Sequence, residues 1–250
     1  MLSSLPRPNP HPPPLSVRLR SAYVTFDNTV LFDNLNLELE GGQITCLLGP
    51  SGVGKSSLLR LLAGLTAGHA ELTGSDGLPL NGRIAYMAQQ DLLLPWLTVL
   101  ENVTLGSRLR GERPALARAQ ALLARVGLQD YARARPAALS GGMRQRAALA
   151  RTLMEDRPVV LMDEPFSAVD ALTRLRLQSL AAELLARRTV LLVTHDPIEA
   201  LRLGQHILIM NGRPVRLRPL PDLPGPPPRD PGQPAVQASY RNILRLLEAA

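Results

Sequence analysis

The chain has 250 residues and a formal net charge of +7, with 45% hydrophobic, 20% charged and 3% aromatic residues. That length suits one large α/β domain, and the hydrophobic fraction excludes a wholly disordered chain. Its apolar runs fall far short of the ~20 residues that span a bilayer, prolines occupy the place of a signal peptide's apolar core in MLSSLPRPNPHPPP, and Cys46 is the only cysteine, which excludes disulfide frameworks and cysteine-based metal sites within one chain.

In chain order, residues 1–16 are proline-rich and are expected to form an extended, disordered lead-in. Between Val17 and Glu40 the patterns VRLR and LNLELE alternate as half-buried antiparallel strands do. Gly41-Gly42 makes a turn before ITCLL (44–48), a run suited to a buried strand. SSLLRLLAGL then reads as a helix ended by Gly64, and IAYM (84–87) as another strand. The stretch 91–155 changes to helical spacing, with Leu116, Ala119, Leu122, Leu123 and Val126 on one face and a further helix over 143–155. VVLMD (159–163), a helix over 171–187, TVLLVT (189–194) and HILIM (206–210) restore strand–helix alternation. The expected fold is therefore α/β, a mostly parallel sheet with an antiparallel β part and a helical insertion at about 91–155. The domain is expected to occupy 17–215, with 216–250 a proline-rich tail carrying a short helix.

Of the 28 basic residues, 27 are arginine and only Lys55 is lysine. The arginines are scattered rather than gathered in a stripe, and aromatics for base stacking are scarce, so a solvated arginine-rich surface explains the charge better than nucleic-acid binding. The lone lysine sits in Gly49-Pro50-Ser51-Gly52-Val53-Gly54-Lys55-Ser56-Ser57, which matches G-x-x-x-x-G-K-[ST] between an expected strand and an expected helix. Glycines at these places let backbone N–H groups turn inward around a phosphate, helped by the positive end of the helix dipole. Lys55 can reach β- and γ-phosphates and the Ser56 hydroxyl can ligate Mg²⁺, so the chain is expected to bind a nucleoside triphosphate.

VVLMDEP puts Asp163 and Glu164 at the end of an apolar strand, where a parallel sheet delivers residues to its ligand-binding edge. Neighbouring strand residues point to opposite sides, so the two carboxylates can do different work. Asp163 is expected to hold Mg²⁺ and Glu164 to face an attacking water as general base.

Leu139-Ser140-Gly141-Gly142-Met143-Arg144-Gln145 resembles the signature sequence of ATP-binding-cassette (ABC) ATPases, and the resemblance covers roughly residues 17–212. It implies that Gln89 of AYMAQQ is the Q-loop glutamine, touching Mg²⁺ and water, that Ser167-Ala168-Val169-Asp170 is the D-loop, and that His195 of LLVTHD is the switch histidine. It also implies an adenine-stacking aromatic, Phe26 with Tyr23 as the alternative. Met143 and Val169 replace a commoner glutamine and leucine, and neither change removes a catalytic group. Ser140, Gly141 and Gly142 open a helix and so offer a second anion site. The resemblance implies that this site grips the γ-phosphate held by a second copy of the chain, giving a head-to-tail dimer with two sandwiched ATP molecules.

The segments LLLPWLTVLENV, MDEPFSAVDALTRLRLQ and VTHDPIEALRLG resemble the nitrate/sulfonate/taurine import branch, and IAYMAQQDLLLPW with the proline-rich tail looks closest to transporters of hydroxymethylpyrimidine, a thiamine precursor. The implied function is an ATPase subunit, cytoplasmic and peripheral on the inner face of the cell membrane. It would energise import through separate transmembrane permease subunits, with an extracytoplasmic solute-binding protein as an indirect partner and no nucleic acid. The alternative is a non-transport ABC ATPase of DNA repair or the ribosome. Such proteins carry long coiled coils or two cassettes, and neither sustained heptads nor a second GxxxxGKS occurs here.

Overall fold

The computed structural model describes residues 14–26, 29–221, 223 and 225–248. Two sheets form its frame. Strands β1 (Val17–Phe26), β2 (Thr29–Leu39) and β4 (His69–Gly74) make an antiparallel sheet in the order β2-β1-β4. The second sheet contains β3 (Ile44–Leu48), β5 (Ile84–Met87), β6 (Val159–Asp163), β7 (Thr189–Val193), β8 (His206–Asn211) and β9 (Arg216–Pro219), in the order β5-β6-β7-β3-β8-β9. All its pairings are parallel except β8–β9. Every residue of β3, β6 and β7 is buried, as expected of apolar strands covered on both faces.

Alternation along these strands divides the core. Leu47, Leu161 and Leu191 face the antiparallel sheet and helix α1 (Lys55–Leu62), with Leu58, Leu59 and Leu62. Cys46, Met162 and Leu192 face the opposite way, toward the helical insertion and the helices that follow it. The insertion holds α2 (Val99–Val103), α3 (Leu105–Leu109), α4 (Leu116–Arg125), two short 3₁₀ turns and α5 (Gly141–Met154). Leu122 and Leu123 of α4 and Ala147, Ala148 and Ala150 of α5 join that core. Helices α6 (Ala171–Leu184) and α7 (Pro197–Leu203) then connect the remaining parallel strands.

The ends differ from the sequence reading. Residues 1–13 of the expected lead-in lie outside the described residues, but Pro14–Ser16 are not loose: Leu15 is buried and its carbonyl accepts from Thr189 Oγ1 at 2.6 Å. The expected tail is also part of the domain. β9 adds an antiparallel edge to the main sheet, and α8 (Pro234–Glu248) buries Val236 and Ile243 in the core. Between them the buried Arg229 donates from Nη1 to the carbonyls of Leu201 (3.0 Å) and Gly204 (2.6 Å), and from Nε to Gly225 (2.9 Å). A cation that satisfies the carbonyls at the end of α7 acts as a C-terminal cap, and it anchors the proline-rich stretch.

Candidate active site

The loop Gly49–Gly54 leaves β3 and enters α1, as the motif requires. Gly52 and Gly54 have φ of 76° and 112°, a region that disfavours side chains, and a Cβ on Gly49 would lie 2.4 Å from the Met210 carbonyl oxygen. Pro50, Ser51 and Gly52 are exposed, while Val53, Gly54, Ser56 and Ser57 are half-buried. No side chain caps α1 and no acidic residue occupies its first turn, so the N–H groups there are left to an anion. Lys55 is buried, and its Nζ donates to the carbonyls of Gly49 (2.7 Å) and Pro50 (2.9 Å). Burial pulls the ammonium below its ordinary pKa, against the opposing pull of Glu164 and Asp163.

The alternation of β6 delivers its carboxylates to two places. Leu161, two residues earlier, faces α1, and so does Asp163, whose carboxylate accepts a hydrogen bond from the Ser56 side chain. Burial raises the Asp163 pKa and the Ser56 bond partly offsets it. Glu164 points the other way. Its Oε1 lies 3.1 Å from His195 Nδ1, and its Oε2 accepts from Gln89 Nε2 at 3.4 Å. Two residues, each just past a strand end, thus meet on the carboxylate at the end of a third strand.

Glu164 has a φ of 49°, a strained value for a residue with a side chain. Its surroundings hold it there: Glu164 N donates to Val193 O (2.9 Å), while Glu164 O accepts from Ser167 N (3.3 Å) and Gln145 Nε2 (2.9 Å). Gln145, at the end of the signature stretch, also donates to Ser167 Oγ (3.1 Å) and accepts from Ala168 N (2.6 Å). The sequence by itself assigns Gln145 no role. Its place one turn into α5 was visible, but its partners were not.

Gly142, at the start of α5, meets Ala168 within this chain. Ser140 caps α5 by accepting from Met143 N (3.3 Å), and Ser140 and Gly141 are exposed. A Cβ on Gly142 would lie 2.9 Å from the Ala168 carbonyl oxygen, so glycine lets the helix start approach the backbone at Ala168. Asp170 caps α6 by accepting from Thr173 N (3.0 Å). An open cleft of about 450 Å³ is lined by Gln89–Leu92, Gly141, Arg144 and Ser167–Ala168, and Arg144 Nε reaches Asp91 Oδ2 at 3.2 Å along it.

Phe26 is 53% and Tyr23 45% exposed, so neither is a core residue. Phe26 pairs with Thr29 of β2, two residues from Leu31, whose side chain lies closest to Gly54; Tyr23 pairs instead with His69 of β4. The apolar run after Gln89 is divided rather than uniformly exposed. Leu93 is buried, Leu94 and Leu97 are half-buried, and Leu92 and Trp96 stand out at 58% and 65%. Asn102, fully buried, fixes this bend through Leu94 N (2.7 Å) and the carbonyls of Leu94 and Thr98.

Residues 32–167 match the protein-family model described as ABC transporter. Across 93% of its length the chain is 44% identical to a protein of Delftia acidovorans described as an aliphatic sulfonates import ATP-binding protein, of which it covers 94%. A Streptomyces avermitilis protein of the same description is 45% identical over 84% of the chain and 83% of its own length. Among solved structures, the chain resembles an ATP-binding cassette captured as a dimer in a post-hydrolysis state bound to ADP and Pi, with a TM-score of 0.69, 31% identity, and coverage of 77% of this chain and 93% of that one.

Proposed function

The chain belongs to the ABC transporter family, and from that premise we propose that it is the ATP-hydrolysing subunit of an importer whose cargo is an aliphatic sulfonate. The observation that carries the catalytic part is the convergence of Gln89 and His195 on the carboxylate of Glu164, one residue beyond the Asp163–Ser56 pair. ATP would lie with its phosphates over Gly49–Ser57 and its adenine against Phe26, whose register puts it nearer this loop than Tyr23. Lys55 would exchange loop carbonyls for β- and γ-phosphate oxygens.

Ser56 and Asp163 present hard oxygen donors side by side, and no group of three or more His, Cys, Asp or Glu suited to a metal occurs among the described residues. That donor set fits Mg²⁺, which takes few protein ligands and fills its shell with phosphate oxygens and water. Ser56, Asp163 and the Gln89 amide oxygen would hold it, and when bound it would neutralise charge on the phosphates. Glu164 accepts the proton of the attacking water, and His195 and Gln89 fix the carboxylate for that task. Exposed Ser140 and Gly141, with half-buried Gly142, at the start of α5 would grip the γ-phosphate bound by a second copy, with Asp170 beside the seam. The dimeric cassette described above supports that assembly.

Among the described residues no helix is long and apolar enough to cross a membrane, so the proposed transport needs separate permease chains. Trp96 and Leu92, exposed beside the Gln89 cleft, are the proposed contact with them, at the inner face of the cell membrane with a solute-binding protein outside. Of the two cargo expectations, the named relatives favour the sulfonate and give the thiamine precursor no support. A strain lacking this gene should fail to grow on ethanesulfonate as sole sulfur source yet grow on sulfate, and the parent chain, but not Glu164→Gln, should restore growth. Unimpaired growth on ethanesulfonate would overturn the cargo assignment.

A further inference from the structure

Arg174, one turn into α6, stands between two segments of the proposed active site. Its Nη2 reaches back to the Val169 carbonyl (3.2 Å), in the D-loop, and its Nη1 lies 3.6 Å from Asp196 Oδ2, just past His195. Asp196 is fixed in turn: Oδ1 accepts from Ile198 N (2.9 Å) and Glu199 N (3.4 Å) at the start of α7, while Asp196 N donates to Thr194 Oγ1 (3.0 Å). Thr194 is itself buried and donates its N–H to Leu47 O at 3.2 Å. His195 is thus the middle of a three-residue segment held at both ends, and Arg174 links one end to the D-loop.

Stability alone gives this ion pair little purpose. Both side chains are about one-third exposed, and such pairs contribute only ~0–1 kcal/mol. A guanidinium differs from an ammonium in spreading donors over a rigid plane, which suits it to bridge a carbonyl and a carboxylate lying in different directions. We propose that Arg174 is a positioning residue for hydrolysis: it ties the D-loop backbone to the segment bearing His195, so that His195 faces Glu164 when the D-loop is seated. The inference rests on the catalytic reading of Glu164 and His195. It adds a route by which a second copy, touching the D-loop beside Val169, sets the geometry of this chain's own catalytic carboxylate.

The test uses the purified full chain. Arg174→Gln should lower the kcat of ATP hydrolysis about tenfold, leave MgATP affinity within about twofold, and shift the melting temperature by no more than a few degrees. Asp196→Asn, which keeps a helix-capping side chain, should lower kcat similarly. The double variant should be no slower than the slower single one, because both break the same link. Multiplication of the two losses, to about a hundredfold, would overturn the proposal, as would a parent kcat in Arg174→Gln or a loss of MgATP affinity that accounts for its slower turnover. Should Arg174→Gln fail to fold, Arg174→Lys, which keeps the charge and loses the planar bridge, decides by the same criteria. Glu164→Gln measured alongside separates the two readings: parent turnover there would sink the catalytic assignment. Its loss there, with parent kcat in Arg174→Gln, sinks only the positioning role.

Discussion

Replacing Gln145 with leucine removes the side chain that joins α5 to Glu164 and the D-loop while nearly conserving volume. Three hydrogen bonds disappear: those from Nε2 to Glu164 O and Ser167 Oγ, and that from Ala168 N to Oε1. Glu164 O keeps its bonds from Ser167 N (3.3 Å) and Ser167 Oγ (3.1 Å), so the group left without its partner is the Ala168 N–H. Ala168 is exposed, so its N–H can turn to water, and each of the three lost bonds contributes roughly 0.5–1.5 kcal/mol net. The leucine recovers about 1 kcal/mol by burying apolar surface at a position that is 5% exposed. The balance is a loss of roughly 0.5–3.5 kcal/mol, or about 1–14 °C in melting temperature for a domain of this size. Turnover should fall further than stability alone requires, because the Glu164 peptide, strained at a φ of 49°, loses one of its restraints. Urea unfolding and ATPase assays on the folded fraction measure both effects. A Gln145→Leu chain as stable and as active as the parent would refute the view that this glutamine holds the carboxylate in place.

Glu199, buried and bonded to Gln178 and Thr194, has its pKa pushed up to about 7 by burial, from an ordinary value of 4.5. Between those values the folded chain binds more protons than the unfolded one, so stability should fall as pH rises through that window, by up to about 3 kcal/mol, and level off above it. Asp163, also raised by burial, acts with the same sign. Glu199→Gln should flatten most of this slope in urea titrations at pH 5 and pH 8, and an unchanged slope would assign it elsewhere. Trp96→Ala should reduce co-purification with the permease severalfold while leaving MgATP binding nearly intact, since Trp96 is 65% exposed whereas nearby Leu93, at 8%, belongs to the core. Unfolding of that variant, or undiminished co-purification, would remove Trp96 from the proposed docking surface.

Legibility in the sequence followed chemistry carried by contiguous residues. A phosphate loop must be built from adjacent backbone N–H groups, so Gly49–Ser57 declares itself, and strand alternation alone sends Asp163 and Glu164 to opposite faces. Buried parallel strands were equally plain as short apolar runs. The links between motifs were not. Gln145, Arg174 and Arg229 act on groups 19–23, 5–22 and 25–28 residues away, apart from shorter contacts such as Gly225, and no spacing rule encodes such pairings. Proline content made the C-terminal stretch look detached, yet one buried arginine and the apolar side of α8 fasten it to α7 and the core. β4 is not legible in the sequence because HAELTG has only weak alternation, and its place depends on pairing with β1. Pro95 likewise broke the periodicity that would have separated buried Leu93 from exposed Leu92 and Trp96.

The most direct test of the catalytic account is steady-state ATP hydrolysis by Glu164→Gln, with MgATP affinity measured on the same sample. The amide keeps the shape of the side chain and can still meet His195 and Gln89, but it cannot take a proton from water. MgATP affinity should therefore match the parent within a few fold while turnover falls by about 10²–10⁴. Hydrolysis at the parent rate with intact binding would contradict the assignment of Glu164 as the base on which Gln89 and His195 converge.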